Sequence, residues 1–219
     1  MKIQTALKGC NTGFKVNINQ PDTAIFMLLA KQVSSDNELQ QILNLQKQNL
    51  RGVNTEAGEK EQGFVTVTHT LEILQQMHHI EPSIIVKDDD VLAGYALVMP
   101  KECSSIVPEL FPMFAGLEKL AWKEKPLDQY HFYVMGQVCV AAAYRGKGVF
   151  DLLYKKHKEV LQHKYDFVIT EVATRNTRSM RAHERVGFKI LNISCDELDE
   201  WAVIVWDWSL STGPSPASL

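Results

Sequence analysis

The sequence predicts a mixed α/β fold, in which helices cover both faces of a strongly twisted mixed sheet. Runs rich in Val, Ile, Phe and Tyr alternate with amphipathic segments along the chain, which is the pattern of such a domain. Two of these runs lead through short junctions into helical patterns, near Gly148 and Asn176. The 219 residues are 45% hydrophobic, enough for one complete core, so we expect a single domain over residues 23–210.

The first third of the chain predicts a leader, a strand and two helices. Residues 1–22 are polar and weakly patterned, so we expect a loosely ordered leader. Ala24–Val33 predicts a strand, although F-M-L-L-A could equally begin a helix. Asp36–Leu50 carries apolar residues at helical spacing behind a Ser or Asp cap, and Thr70–His79 predicts a second helix. A Gly- and Glu-rich loop, Arg51–Gln62, separates the two helices.

The middle of the chain predicts a hairpin, a long helix and a strand–helix unit. Ser83–Lys87 and Leu92–Val98 flank a charged D-D-D turn and predict a β-hairpin. Glu109–Glu124 predicts a helix. Tyr130–Val140 predicts a long strand, and Val149–His163 predicts the helix that follows it.

The last part predicts two further strands, a short helix and a tail. Asp166–Ala173 predicts a strand by its Phe, Val and Ile content. Asn176 or Thr177 can cap the next helix, and Gly187 suits the left-handed position after it. Apolar runs follow at Phe188–Ile193 and Ala202–Leu210, and a disordered tail is expected at 211–219.

The junction between the long strand and its helix has the composition of an anion site. It reads Q-V-C-V-A-A-A-Y-R-G-K-G-V-F-D, from Gln137 to Asp151. Such a strand–loop–helix junction points backbone N–H groups outward, and its glycines let a phosphate approach closely. The loop matches neither the dinucleotide fingerprint nor the P-loop. An ordinary βα turn with glycines for tight packing remains an equal alternative for this segment alone.

A second segment changes the balance between these interpretations. The run E-V-A-T-R-N-T-R-S-M-R-A-H-E-R-V-G-F combines a strand, an Asn, a short helix and a Gly-Phe pair. Together the two segments resemble the GNAT superfamily, the acyl-CoA-dependent N-acyltransferases. The specific resemblance covers about Tyr130 to Ile193, and a fainter one extends from Phe26 to Trp208. It implies a mixed, strongly twisted central sheet of about six to seven strands.

The resemblance also implies which residues meet coenzyme A. Amides of the R-G-K-G loop would line the pyrophosphate, the edge of the strand before it would hold the acyl carbonyl and the pantetheine arm, and Asn176 would meet that arm. Asn176 can equally be a plain helix cap. The chain departs from the family pattern with Ala143 three residues before the first loop glycine, and with Phe where Gly or Ala is frequent. The predicted coenzyme residues are Val138, Val140, Arg145, Gly146, Lys147, Gly148, Val149, Phe150 and Asn176.

The catalytic predictions are Glu171 and His183. Glu171 stands where some family members that acetylate protein N-termini carry a glutamate proposed as the base, although it can equally be a hydrogen-bonded strand residue. His183 stands where the family usually has a tyrosine acid. Its imidazole titrates near a pKa of about 6.5 and so can supply a proton, but a structural role is an open alternative. Tyr144 and Tyr154 are substitute donors.

The predicted function is therefore transfer of an acetyl group from acetyl-CoA to a primary amine, by direct attack in a ternary complex. The amine would belong to a small molecule or a peptide terminus. The alternatives are a non-catalytic acyl-CoA-binding module and an N-acyltransferase that uses a longer acyl donor. The resemblance also makes a homodimer through the last strand plausible.

Composition excludes several other classes. The formal net charge is −3 with both signs interspersed, which lacks the basic footprint of a nucleic-acid-binding protein. No apolar run reaches the ~18–20 residues of a membrane span. The four cysteines are far apart, which predicts neither a metal site nor a disulfide scaffold. A cytoplasmic location fits this pattern best.

Overall fold

The structure, a computed structural model, describes residues 27–50, 68–107, 110–197 and 199–209. The predicted leader, the Gly- and Glu-rich loop and the predicted tail lie outside the described residues. In the described ranges no helix is long and apolar enough to cross a membrane.

The described residues form five helices and nine strands. In chain order they are β1 (Leu28–Gln32), α1 (Asp36–Gln48), α2 (Leu71–Ile80), β2 (Ile84–Asp88), β3 (Val91–Pro100), α3 (Phe111–Leu117), β4 (Ala121–Trp122), β5 (Lys125–Pro126), β6 (Phe132–Val140), α4 (Val149–Leu161), β7 (Phe167–Ala173), α5 (Thr177–Val186), β8 (Lys189–Cys195) and β9 (Glu200–Asp207). Short 3-10 turns occupy Lys101–Ser105, Leu127–Gln129 and Ala142–Tyr144.

Seven of the strands form one mixed sheet in the order β1-β2-β3-β6-β7-β9-β8. Strands β6 and β7 run parallel, and every other neighbouring pair in this sheet is antiparallel. Because β1 pairs with β2 along its whole length, the chain from Leu28 onward, which could have begun a helix, is a strand. The predicted sheet of six to seven strands is confirmed.

Helices cover both faces of the sheet, as predicted. Side chains of α1, α2 and α3, such as Ile42, Leu74 and Phe114, pack into one core with the strand residues that face them. Leu153 of α4 and the partly buried Met180 of α5 pack into a second core on the opposite face. The alternation of side chains along each strand assigns its residues to one core or the other.

The long helix predicted over Glu109–Glu124 is wrong. Helix α3 spans only seven residues and ends at Leu117, and the β4–β5 hairpin follows. The chain reverses at Lys123 and Glu124, whose φ angles of 50° and 65° are left-handed. A tertiary contact holds this hairpin, since the indole of Trp122 donates to Asp207 Oδ2 at 2.7 Å. The local pattern contains no sign of that distant partner.

The last strand also differs from its prediction. Strand β9 ends at Asp207, whose Oδ1 accepts from the backbone N–H of Ser209 at 2.8 Å. It lies between β7 and β8, so both of its edges are already paired. Among the described residues, the edge strands of the sheet are β1 and β8. A homodimer itself stays a prediction.

Candidate functional site

The site is a cleft where the two parallel strands of the sheet separate. Strands β6 and β7 pair only from Phe132 opposite Phe167 to Val134 opposite Ile169. The hydroxyl of Thr170 then donates to the carbonyl of Met135 at 2.8 Å. Beyond this contact the strands diverge and leave a cavity of about 650 Å³.

A bulge shapes the β6 wall of the cleft. The register between β3 and β6 shifts opposite Ala96–Val98, where Gly136 lies. A Cβ added at Gly136 would stand 2.2 Å from Met99 Sδ, so the residue has no room for a side chain. The bulge bends β6 and so helps to open the cleft.

The backbone of β6 presents polar groups to this opening. The N–H of Ala141 donates to the carbonyl of Ala93 in the β3 segment at 2.9 Å. Backbone groups alternate in direction along a strand, so those of Val138 and Val140 point the other way, into the cleft. Both residues line it.

The glycine loop closes one end of the cleft. Gly146 and Gly148 have φ angles of 74° and 77°, and a Cβ added at either would meet nothing within 4 Å. Helix α4 begins at Val149 without a side-chain cap. Its first N–H groups and the positive end of its dipole therefore face open space. The loop thus fits a phosphate or pyrophosphate group.

The two charged side chains of this loop do not point the same way. Arg145 donates from Nη2 to Asn49 Oδ1 at 2.9 Å and from Nε to the carbonyl of Val140 at 3.3 Å. The ammonium of Lys147 lies 5.9 Å from the ring centroid of Tyr144, and Lys147 does not line the cleft. The charges of these two side chains were expected beside the pyrophosphate, but Arg145 is directed toward Asn49 and Val140, and Lys147 toward Tyr144.

Helix α5 contributes positive charge to the opposite wall. Arg178, Arg181 and Arg185 all line the cleft. Arg185 forms an ion pair with Asp151, in the first turn of α4, with Nη2 and Oδ1 2.6 Å apart. This pair offsets the negative charge of Asp151 beside the glycine loop.

Glu171 lies on the β7 wall, on the same face of the sheet as α1 and α2. Its neighbour two residues back, Ile169, belongs to the core beneath those helices. Burial raises the pKa of the Glu171 carboxyl, and the nearby carboxylate of Asp196 raises it further. Trp201 of β9 lines the cleft on this face, and its indole donates to Asp196 Oδ2 at 2.9 Å.

His183 lies on the α5 side and is almost fully buried, at 1% exposure. Its Nδ1 is 2.8 Å from the carbonyl of Ser179, which can only accept, so Nδ1 carries the proton. Nε2 then accepts from the hydroxyl of Tyr154 at 2.6 Å. Burial lowers the pKa of His183 to about 4, and the ring is therefore neutral at pH 7.

Phe150 and Asn176 complete the walls. The ring of Phe150 packs against Tyr154 and stands perpendicular to His183, with centroids 5.2 Å apart. Phe150, which stands where Gly or Ala is frequent in the family, thus fills space beside His183. Asn176 caps α5, because its side chain accepts from the N–H of Ser179 at 3.1 Å.

Tyr144 and Cys139 also line the cleft, one with a phenol group and the other with a thiol. The hydroxyl of Tyr144 donates to Asp88 Oδ2 at 3.0 Å. Burial raises the pKa of Cys139 to about 12, which keeps this cleft residue a thiol. No group of three or more His, Cys, Asp or Glu side chains in the described ranges could hold a metal ion.

Every predicted coenzyme and catalytic residue except Lys147 lines the cleft, as does the substitute donor Tyr144, whereas Tyr154 lies behind its wall. Sequence reasoning missed Asn49, Gln137 and Thr170, which also line it. Asn49 is 96 positions from the Arg145 it contacts, and no local pattern indicates that pairing. Thr170 appeared as one more residue of a β-branched strand.

Solved structures show the same fold at low sequence identity. The ribosomal-protein-S18-alanine N-acetyltransferase from Escherichia coli has 10% identity and a TM-score of 0.56, covering 86% of this chain and 99% of that one. The spermidine N-acetyltransferase from Vibrio cholerae, in complex with CoA and spermine, has 14% identity and a TM-score of 0.51, covering 83% and 96%. The NatC complex bound to Gag peptide and CoA has 11% identity and a TM-score of 0.56, covering 82% and 98%.

The sequence itself matches a family model. No curated protein sequence matches the chain. Residues 41–188 match the model of the acetyltransferase (GNAT) family, which is more than half of the chain and includes both the glycine loop and the Gly-Phe segment. The chain therefore belongs to the GNAT acetyltransferase family and is an enzyme of the acyltransferase class.

Proposed function

We propose that the protein transfers an acetyl group from acetyl-CoA to a primary amine, by direct attack within a ternary complex. One observation carries the proposal. A single cleft joins the open glycine loop at the start of α4 to a partly buried carboxyl with a raised pKa, Glu171. Acyl transfer from a CoA thioester to an amine needs both a place for the coenzyme phosphates and a base near the amine.

Acetyl-CoA supplies the thioester. The loop amides from Gly146 to Phe150 would hold its pyrophosphate, and the positive-φ glycines leave the space that this requires. The pantetheine arm would lie between the diverging strands, along Val138 and Val140 and near Asn176. The arginines of α5 would add positive charge along the same path.

Glu171 is proposed as the base. A free alkyl amine has a pKa of about 10.4 and must lose a proton before it attacks. Burial raises the pKa of Glu171, which brings the carboxylate closer to the amine as a proton acceptor. Glu171 takes the proton that the ammonium loses, and the neutral amine nitrogen attacks the thioester carbon to form a tetrahedral oxyanion. The C–S bond breaks as this intermediate collapses, and the second proton lost by the nitrogen replaces the one that the departing thiolate takes from its acid or from water. An N–H group of Val138 or Val140 would stabilise the oxyanion.

His183 is proposed as the acid that protonates the departing thiolate, although its low pKa and its two hydrogen bonds restrict this role. With a pKa of about 4, about one ring in a thousand carries the second proton at pH 7. Both ring nitrogens are also engaged, by Tyr154 and Ser179. Direct donation would therefore require one of these hydrogen bonds to break, and water is the alternative donor.

The acceptor is proposed to approach on the face that carries Glu171 and Trp201. The indole of Trp201 is partly buried and held by Asp196, which gives this face an aromatic wall beside carboxylates. Such a wall suits a cationic amine. The amine of a small molecule and the terminus of a peptide both meet this description.

The decisive test is thiol release from acetyl-CoA over a panel of amines, with spermidine and alanine-starting peptides included. Glu171→Gln should lower kcat at least a hundredfold while the CoA dissociation constant stays within about twofold. Glu184→Gln, an exposed glutamate on α5, is the matched control and should behave as wild type. Full activity in Glu171→Gln would exclude the base role, and failure of wild type to bind CoA would exclude the whole proposal.

The alternative of a non-catalytic acyl-CoA-binding module runs against the family assignment, and the observation in its favour is the engaged, neutral His183. That function predicts tight CoA binding with no turnover of any acceptor, with acetyl-CoA or with a longer acyl donor. Turnover only with a longer acyl group would instead assign an N-acyltransferase of that kind. The homodimer and the cytoplasmic location remain predictions, and light scattering of the purified protein tests the first.

A further inference from the structure

We infer that Arg145 is a positioning residue that ties the coenzyme loop to the last turn of α1 through Asn49, rather than a ligand of the pyrophosphate. The inference rests on the proposed function only in requiring that coenzyme A binds at this loop. An Arg in a glycine loop before a helix would ordinarily be assigned to the phosphate, as the sequence itself predicts.

The direction of the guanidinium supports this role. Arg145 reaches back to the carbonyl of Val140 with Nε, at 3.3 Å, and across to Asn49 Oδ1 with Nη2, at 2.9 Å. These two donors span the end of β6 and the end of α1. A planar guanidinium can hold two acceptors in a fixed relation, which a lysine ammonium on a flexible stem cannot reproduce.

Asn49 is built to receive this contact. Its side chain is 7% exposed, and its Nδ2 donates to the carbonyl of Leu45 at 2.9 Å. That bond satisfies one of the last carbonyls of α1 and fixes the amide so that its oxygen faces Arg145. The orientation of Arg145 thus depends on a buried partner whose amide is held by its own hydrogen bond.

A second buried contact fixes the same turn of α1 to β6. Gln46 donates from Nε2 to Gln137 Oε1 at 2.8 Å, and the hydroxyl of Tyr95 donates to the same oxygen at 3.2 Å. The backbone N–H of His69, just before α2, donates to Gln46 Oε1 at 3.0 Å. The end of α1 is therefore anchored to the cleft at Gln137 and at Arg145, and both of these residues line it.

Coenzyme affinity follows from this arrangement. The loop amides bind the anion, and their positions depend on where Arg145 is held. Breaking the link on either side should weaken CoA binding in the same way, although Asn49 caps the end of α1 and is not on the loop.

The test is a double-mutant cycle on CoA affinity, measured by isothermal titration calorimetry with CoA itself. Arg145→Ala and Asn49→Ala should each raise the dissociation constant about tenfold, and the double variant should equal either single variant. Lys147→Ala is the matched control for loss of a loop charge, and its effect should add to that of Asn49→Ala.

Arg145→Lys keeps the positive charge but removes the planar guanidinium that holds two acceptors. If Asn49→Ala does not fold, this variant alone tests whether Arg145 acts through its link to Asn49. The link predicts that Arg145→Lys binds CoA as weakly as Arg145→Ala. Wild-type affinity in Arg145→Lys, or in a folded Asn49→Ala, would overturn the inference and make Arg145 a simple phosphate-facing charge. No CoA binding by wild type would reject the proposed function instead.

Discussion

Acidification should destabilise the fold through two buried histidines, His157 and His183. Burial lowers the pKa of His183 to about 4 and that of His157 to about 3. In the unfolded chain both imidazoles return to a pKa of about 6.5. Because the folded-state pKa is the lower one, each neutral ring contributes stability fully above pH of about 6.5, and that contribution is lost as the pH falls toward the folded value.

The size of the effect follows from the shifts. Between pH 7.5 and pH 5, linkage gives a loss of about 2 kcal/mol in the free energy of unfolding for each ring, or about 4 kcal/mol together. The usual free energy of unfolding of a domain is only about 5–15 kcal/mol. The change is therefore large enough to measure by urea unfolding.

The assay follows tryptophan fluorescence in urea at pH 7.5, 6 and 5. His183→Gln keeps an oxygen that can accept from Tyr154, and its loss over this range should be about 2 kcal/mol smaller than that of wild type, because the contribution of His183 is removed and that of His157 remains. His163→Gln, at an exposed position after α4, should show the full wild-type loss. An unchanged pH dependence in His183→Gln would mean that the buried ring is not held neutral, and would restore an imidazolium as the acid.

Three further substitutions test the geometry of the cleft. Thr170→Val should lower the free energy of unfolding by about 1–3 kcal/mol, since the buried carbonyl of Met135 loses its donor; Thr170→Ser should lose less, and equal losses would argue against the hydroxyl. Gly136→Ala should cost about 1–3 kcal/mol in urea unfolding, because its Cβ meets Met99 Sδ at 2.2 Å. That cost should shrink in a Met99→Ala background, and an unchanged cost would contradict the clash. Gly148→Ala should cost about 1–2 kcal/mol of backbone strain and also weaken CoA binding in calorimetry, because its Cβ enters open cleft space; unchanged affinity would place the coenzyme elsewhere.

The sequence alone determined the features that depend on neighbours in the chain. The β-branched run into R-G-K-G and the capped segment before the Gly-Phe pair predicted β6, α4, β7 and α5 in their order. The two glycines of R-G-K-G predicted a loop that a phosphate group can approach closely, and Asn176 was predicted as a helix cap. These properties are local, so that a few adjacent residues specify them.

The tertiary structure alone decided how the parts of the site act on one another. The bulge at Gly136 and the hydrogen bond from the Thr170 hydroxyl lie where β6 and β7 diverge, and neither is visible in a strand pattern. Burial keeps His183 neutral, and its Nε2 accepts a hydrogen bond from a tyrosine 29 positions away. The contact of Arg145 with Asn49 joins residues that only folding brings together. Burial and contacts between distant residues set protonation and orientation, and a linear pattern carries no record of either.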